Sequence, residues 1–144
     1  MEFPVHIPFV EAQGFELVSF ADGQSELRLA SRDDQLNSWK VVHGGVVMSL
    51  LDVAMAHAAR SYDIATRNSP GVVTIEMKTS FMRPATGKLV ARGKLLHRTA
   101  TLAFTEGSVF GEDGFLCAHS TGTFKFLKAL PVGARSMQDL QRAE

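Results

Sequence analysis

His43-Gly44-Gly45-Val46-Val47-Met48-Ser49-Leu50-Leu51-Asp52-Val53-Ala54-Met55-Ala56-His57-Ala58-Ala59-Arg60 is the stretch on which the fold turns. Its polar positions after the glycines are few (Ser49, Asp52, His57, Arg60), so the pattern predicts a helix buried on most of its circumference, as if wrapped by a sheet. A positive side chain near Arg60-Ser61 suits the negative end of the helix dipole and predicts the stop there. Two glycines at the start leave backbone N–H groups bare. An acid set among Val, Leu, Met and Ala has no structural task that its neighbours explain. The pair suggests an oxyanion site plus a carboxylate. The bland alternatives are tight packing between helix start and sheet for the glycines, and a salt bridge hidden from the sequence for Asp52.

Outward from this helix the period changes. On the N-terminal side, Phe15 to Phe20 and Ser25 to Ala30 flank Ala21-Asp22-Gly23-Gln24, a hairpin signal because Asp and Gly both tolerate positive φ. Apolar residues from Phe3 to Val10 predict a short packed helix or strand from about Pro8 to Ala12. On the C-terminal side, Val73, Ile75, Met77, Thr79 and Phe81 alternate with polar residues, predicting a half-buried strand closed by Arg83-Pro84-Ala85. Three more runs follow: Leu89 to Leu95, Thr101 to Phe110 and Phe115 to Phe126, the last two split by the turn Gly111-Glu112-Asp113-Gly114. These four strands are expected to form a meander. Gly107 and Gly122 inside strand patterns point to bulges or to close backbone approach. The whole reads as α+β, a curved antiparallel sheet around one long central helix, which is the hotdog arrangement. Residues 1–128 are expected to be a single domain and 129–144 a surface tail.

At 144 residues the chain is large enough for one domain with its own core. Fifteen Lys and Arg balance fifteen Asp and Glu, which gives no reason to expect a nucleic-acid partner. The longest apolar run, Val41 to Met55, is shorter than the roughly 20 residues of a spanning helix, so no membrane partner is expected. No secretory pattern opens the chain, and the lone Cys117 reads as a packed thiol in a reducing compartment, so the expected location is cytoplasmic. His57, His97 and His119 lack ligand spacing, so no metal is expected, and no cofactor either.

Gly45 and Asp52 are seven residues apart, on nearly the same side of the helix but about 10 Å apart along its axis. One helix cannot place both on one carbonyl. Two copies paired with helices antiparallel would, each site taking glycines from one chain and Asp52 from the other, which predicts a two-fold dimer with two equal sites.

The stretch Asn37-Ser38-Trp39-Lys40-Val41-Val42-His43-Gly44-Gly45, then Leu51-Asp52 and Ala54, resembles the motif of PaaI-like hotdog acyl-CoA thioesterases. So do Gly71 to Met77, Phe81-Met82-Arg83-Pro84-Ala85 with Gly87, and Thr101 to Phe104. The resemblance implies thioester hydrolysis, with Asp52 as nucleophile or general base and Gly44 and Gly45 holding the oxyanion. It further implies that Asn37 orients the thioester or the water, that Thr74 positions the water, and that His43 fixes the loop before the helix. Lys40 departs from the family, which usually has Gly there. By this reading Met48, Leu51 and Met55 line an acyl tunnel, and Arg83 is the first of several basic residues suited to the phosphates of coenzyme A. The expected assembly is a homodimer or homotetramer. Two other functions fit the same outline: an acyl-CoA-binding module without catalysis, and a dehydratase or hydratase. The second requires an acid and a His facing one Cα–Cβ pair, and Asp52 and His57, about 140° apart on a helix, are not expected to face together.

Overall fold

The computed structural model describes residues 1–61 and 71–127. The expected C-terminal tail, 129–144, lies outside the described residues. A short helix α1 (Pro8–Gln13) is followed by strands β1 (Glu16–Ala21) and β2 (Gln24–Ala30) and the long helix α2 (Gly44–Arg60). Strands β3 (Val72–Phe81), β4 (Lys88–Arg98), β5 (Leu102–Phe110) and β6 (Leu116–Phe126) complete a six-stranded antiparallel sheet in the order β1-β2-β4-β5-β6-β3. The sheet curves around α2, whose Leu50, Leu51, Ala54, Met55 and Ala58 are fully enclosed. This is the expected hotdog architecture.

Local chemistry explains the elements. Proline within the first turn and Gly14 in the left-handed conformation bound α1. Asp22 and Gly23, at φ of 53° and 76°, make the tight turn of the first hairpin. That turn also anchors the far end of α2: Gly23 N–H donates to Ser61 Oγ (2.8 Å), and Ser61 Oγ donates to Ala58 O (2.7 Å).

The expected meander of four strands is corrected. Only β4, β5 and β6 follow one another; β3 pairs with β6 at the far edge, and β4 pairs with β2. The segment from Met82 to Gly87, with Pro84 inside it, is not a tight turn, so the chain passes from the edge strand β3 to the interior strand β4, between β2 and β5. The expected half-burial of β3 is corrected for the same reason. As an edge strand it leaves Ile75 55 % and Phe81 52 % exposed. Its alternation is also interrupted, because pairing with β6 slips between Thr74 and Glu76. The slip lets Thr74 and Met77 both reach the helix side, where strict period two would separate them.

Helix and sheet touch most closely at mid-helix. Ser25 Oγ donates to Ala54 O (2.6 Å), and a Cβ added at Gly93 would lie 2.7 Å from Ser25 Oγ and run into the Ala54 carbonyl. Gly107 and Gly122 serve the same approach, since side chains there would press on Met55 at 3.0 Å. Neither lies at a register slip, so close approach is the reading that holds. Gly93→Ala must displace backbone rather than a flexible side-chain end. It is expected to lower unfolding free energy by about 3 kcal/mol in urea titrations; a change below about 1 kcal/mol would show that α2 is not seated as described.

Candidate active site

The helix start separates the two glycines by role. His43 caps α2 by folding its ring back, so that its Nδ1 accepts from Gly45 N–H at 2.8 Å. A Cβ at Gly45 would lie 3.0 Å from that nitrogen, which is why the second position needs glycine. The expected pair of bare amides is therefore corrected: Gly45 N–H is engaged by its own chain. Gly44 N–H has no acceptor among the described residues. It stands at the positive end of the helix dipole. A Cβ at Gly44 would reach only the Phe81 ring, at 3.4 Å.

Asn37 shapes the approach to this amide. Its Oδ1 accepts from Trp39 N–H (2.9 Å) and Val41 N–H (3.3 Å), and its backbone N–H donates to Val41 O (2.8 Å). The loop closes so tightly that Lys40 takes φ of 60°, a conformation easiest for glycine and the physical sense of the family's usual residue there. With its oxygen committed to the loop, Asn37 retains only its side-chain NH2 to offer elsewhere. Asn37, Gly44, Phe81, Arg83 and a strongly exposed Trp39 border one cleft of about 560 Å³. Arg83 lies over the Phe115 ring at 4.8 Å. Cys117 borders the same cleft, where burial, followed by the charge of Asp113, raises its pKa and disfavours the thiolate.

Asp52 belongs to a second cleft, of about 480 Å³, bounded by α2, the Val5–Val10 segment and the start of β3. Thr74 Oγ1 donates to Asp52 Oδ1 at 2.7 Å. Burial raises the Asp52 carboxyl above its ordinary pKa, and the Thr74 hydrogen bond pulls it part of the way back. No ion pair to Asp52 is found among the described residues, so the hidden salt bridge is not the explanation of this acid.

The predicted residues thus fall into two groups. Asn37, His43, Gly44, Gly45 and Arg83 gather at the helix start; Asp52 and Thr74 meet a little over two turns later. Leu51 and Met55 are fully enclosed against the sheet and line neither cleft, while Met48 is half-buried and also borders neither. His57 does border the Asp52 cleft, which the angular argument did not foresee, because the cleft spans a broad arc of the helix. Its ring is held by Nδ1–H donating to Val53 O (2.8 Å) and by the edges of Phe3 and Phe20. Burial drives its pKa down to about 4, so it is neutral near pH 7. A neutral, clamped imidazole is a poor proton donor for a dehydratase. Trp39, Phe81 and Ala56 border these clefts with no local sequence signal that marks them as site residues. Only contacts between distant segments reveal them.

A six-stranded hotdog with an open amide at its helix start and a half-buried carboxylate on the same helix carries the two kinds of group that thioester cleavage uses, an oxyanion donor and a base. Residues 40–118 match the family described as thioesterase superfamily, and the chain belongs to it. It is 27 % identical over 135 residues to the medium/long-chain acyl-CoA thioesterase YigI of Salmonella typhimurium, covering 85 % of this chain and 87 % of that one. A conserved Pseudomonas aeruginosa protein of solved structure superposes with TM-score 0.77 at 32 % identity, covering 85 % of this chain and 95 % of that one. The PaaI protein of the Escherichia coli phenylacetic acid degradation operon shares the fold, with TM-score 0.76 at 20 % identity over 84 % of this chain and 85 % of that one.

Two outcomes follow from the electrostatics. Thr74→Val removes the hydrogen bond that favours the carboxylate, so the Asp52 carboxyl, followed by 13C NMR, is expected to titrate at higher pH than in wild type; an unchanged or lower value would deny the Thr74 contact. Because Asp52 is raised in the folded chain, its charge opposes folding at neutral pH and that cost vanishes as pH falls through its folded pKa. Asp52→Asn keeps an acceptor for Thr74 and drops the charge. It is expected to raise Tm at pH 7, with the gain shrinking toward pH 4; a loss of Tm at pH 7 would contradict the reading.

Proposed function

We propose that this protein hydrolyses acyl-CoA to free acid and coenzyme A at sites shared by two copies of the chain. The observation that carries this reading is the separation just described: the open amide of Gly44 and the carboxylate of Asp52 lie in different clefts of one chain. The free edge of β3 is what would bring them together. Thr74, which holds Asp52, and Phe81, which lies on Gly44, stand at opposite ends of that edge. Antiparallel pairing of β3 with a second β3, about a two-fold axis through Lys78 and with Ile75 left out of the ladder as it is in the pairing with β6, sets Thr74 of one copy opposite Phe81 of the other. Residues so opposed have Cα atoms about 5 Å apart. The apolar side chains of Val73 and Ile75, exposed on one chain, accompany this edge. Pairing along β3 also lays the two α2 helices antiparallel, and further association of such dimers gives a homotetramer.

In the shared site the thioester oxygen takes the Gly44 N–H, whose donation strengthens as negative charge develops there. Asp52 of the partner subunit takes a proton from water, and its raised pKa makes it a stronger base for the purpose. The resulting hydroxide adds to the carbonyl; the tetrahedral species collapses, expels the coenzyme A thiolate and leaves the acid, and the proton passes from Asp52 to the thiolate. Direct attack by the carboxylate, giving an anhydride that water then opens, uses the same geometry. Thr74 and Asn37 position the reactants, His43 holds the helix start, and Arg83 attends the phosphates of coenzyme A. An acyl-CoA substrate and a thiol kept reduced at Cys117 are in keeping with work in the cytoplasm.

Gly44→Pro tests the amide cleanly. Proline is accommodated at the first helical position, and His43, with φ −57° and ψ 137°, already has the backbone that precedes proline. Gly44→Pro and Asp52→Ala are each expected to lose about 10²–10³-fold in kcat on acyl-CoA while remaining folded. Mixed and allowed to exchange subunits, the two inactive variants are expected to recover about one quarter of wild-type activity, since half of the random dimers carry one intact site of two. No recovery from dimers shown to have exchanged would refute the shared site.

A further inference from the structure

The expected acyl tunnel residues Leu51 and Met55 point the wrong way, and the structure supplies a different wall. We propose that the Asp52 cleft receives the acyl chain and that Ala56 and the segment from Val5 to Phe9 set the length it accepts. This rests on the thioesterase reading above and goes on to assign the substrate's acyl portion.

A thioester carbonyl held between Asp52 and a Gly44 amide has two branches, and the molecule offers two clefts, both walled largely by apolar side chains. The Gly44 cleft carries the guanidinium of Arg83 and the exposed indole of Trp39, groups suited to a polar, phosphorylated nucleotide portion. The Asp52 cleft is the one covered by the chain's own N-terminal segment, and beside the polar Ser49, Asp52, His57 and Thr74 it offers Val5, Ile7, Phe9, Val53 and Phe124 as an apolar wall for a hydrocarbon. On α2 its floor is the row Ser49, Asp52, Val53, Ala56 and Arg60, which follows the three-to-four-residue spacing of one helical face, turned away from the enclosed Leu51, Ala54 and Met55. Ala56 stands one turn beyond Asp52. A methyl side chain there leaves the trough open where a larger residue would close it.

The far end is polar. Arg60 closes the row, and a methyl terminus that reaches its permanently charged guanidinium gains nothing by going further. Asp52 to Arg60 covers eight residues, about 12 Å of axis, room for roughly eight to ten carbons in extended form. The outer wall is the chain's own N-terminal segment, held by His6 on Glu11 (2.6 Å) and by the Phe3 ring edge-on to His57 at 5.3 Å. Length selection therefore resides in residues that take no part in the chemistry.

The test is kcat/KM on butyryl-, octanoyl-, decanoyl- and palmitoyl-CoA. Wild type is expected to prefer the octanoyl and decanoyl substrates. Ala56→Phe is expected to cut decanoyl-CoA turnover by about tenfold or more while leaving butyryl-CoA within about threefold, and Ile7→Ala to improve palmitoyl-CoA relative to decanoyl-CoA. A uniform loss across all four, or an unchanged profile, overturns the assignment. Should Ala56→Phe not fold, Ile7→Trp narrows the same cleft from its other wall, with the same expectation. Should wild type release no thiol from any substrate, catalysis fails and the cleft is judged separately by calorimetric binding of decanoate and butyrate. Decanoate bound by wild type and lost in Ala56→Phe upholds the acyl pocket; no decanoate binding, or equal binding by both proteins, overturns it.

Discussion

The contact between the middle of α2 and the sheet is the constraint on which the rest depends. Ser25 reaches the Ala54 carbonyl, and Gly93, Gly107 and Gly122 clear the strands of side chains where the helix settles. A helix drawn in this closely has its Leu50, Leu51, Ala54, Met55 and Ala58 face committed to the core, each large side chain contributing about 1.5–3 kcal/mol by leaving water. The remaining faces are then assigned by geometry. One end presents Gly44, and the flank beside the edge strand β3 presents Asp52 to the trough under the N-terminal segment.

The site is expensive for the fold that holds it. An acid with raised pKa and a single hydroxyl donor sits where an apolar residue would be more comfortable, and among the described residues the N–H of Gly44 at the helix start has no acceptor. In the reading proposed here, both mark a place where reactivity is favoured over stability. His57 shows the contrast. It lies in the same trough, yet its ring is clamped by Val53, Phe3 and Phe20 and neutral near pH 7, so burial there yields packing rather than acid–base chemistry.

The edge strand β3 joins these features to assembly. Its pairing with β6 slips between Thr74 and Glu76, and that slip turns Thr74 toward Asp52 while Phe81, seven residues on, lies against Gly44. An unpaired edge with apolar side chains is a liability for an isolated chain and an asset for a two-fold assembly. In the reading proposed here, the same strand orients the carboxylate, flanks the amide and supplies the seam.

Much of this was legible in the residues alone. The buried helix from Gly44 to Arg60, the Asp22-Gly23 turn, each of the strands, and the isolation of Asp52 all follow from local periodicity and from backbone preferences that neighbouring residues impose. Strand order did not follow, because alternation says which face a strand buries and nothing about which strand lies beside it; β3 therefore appeared half-buried in a meander when it is an exposed edge. The roles of Gly44 and Gly45 could not be told apart either, since the difference is a ring of His43 folding back onto one amide and not the other. The residues by themselves determined that this chain would wrap a sheet around a helix with a glycine pair at its start and a lone acid along its apolar length. Tertiary structure alone decided that the two face different clefts, because where they point depends on contacts between segments far apart in the chain.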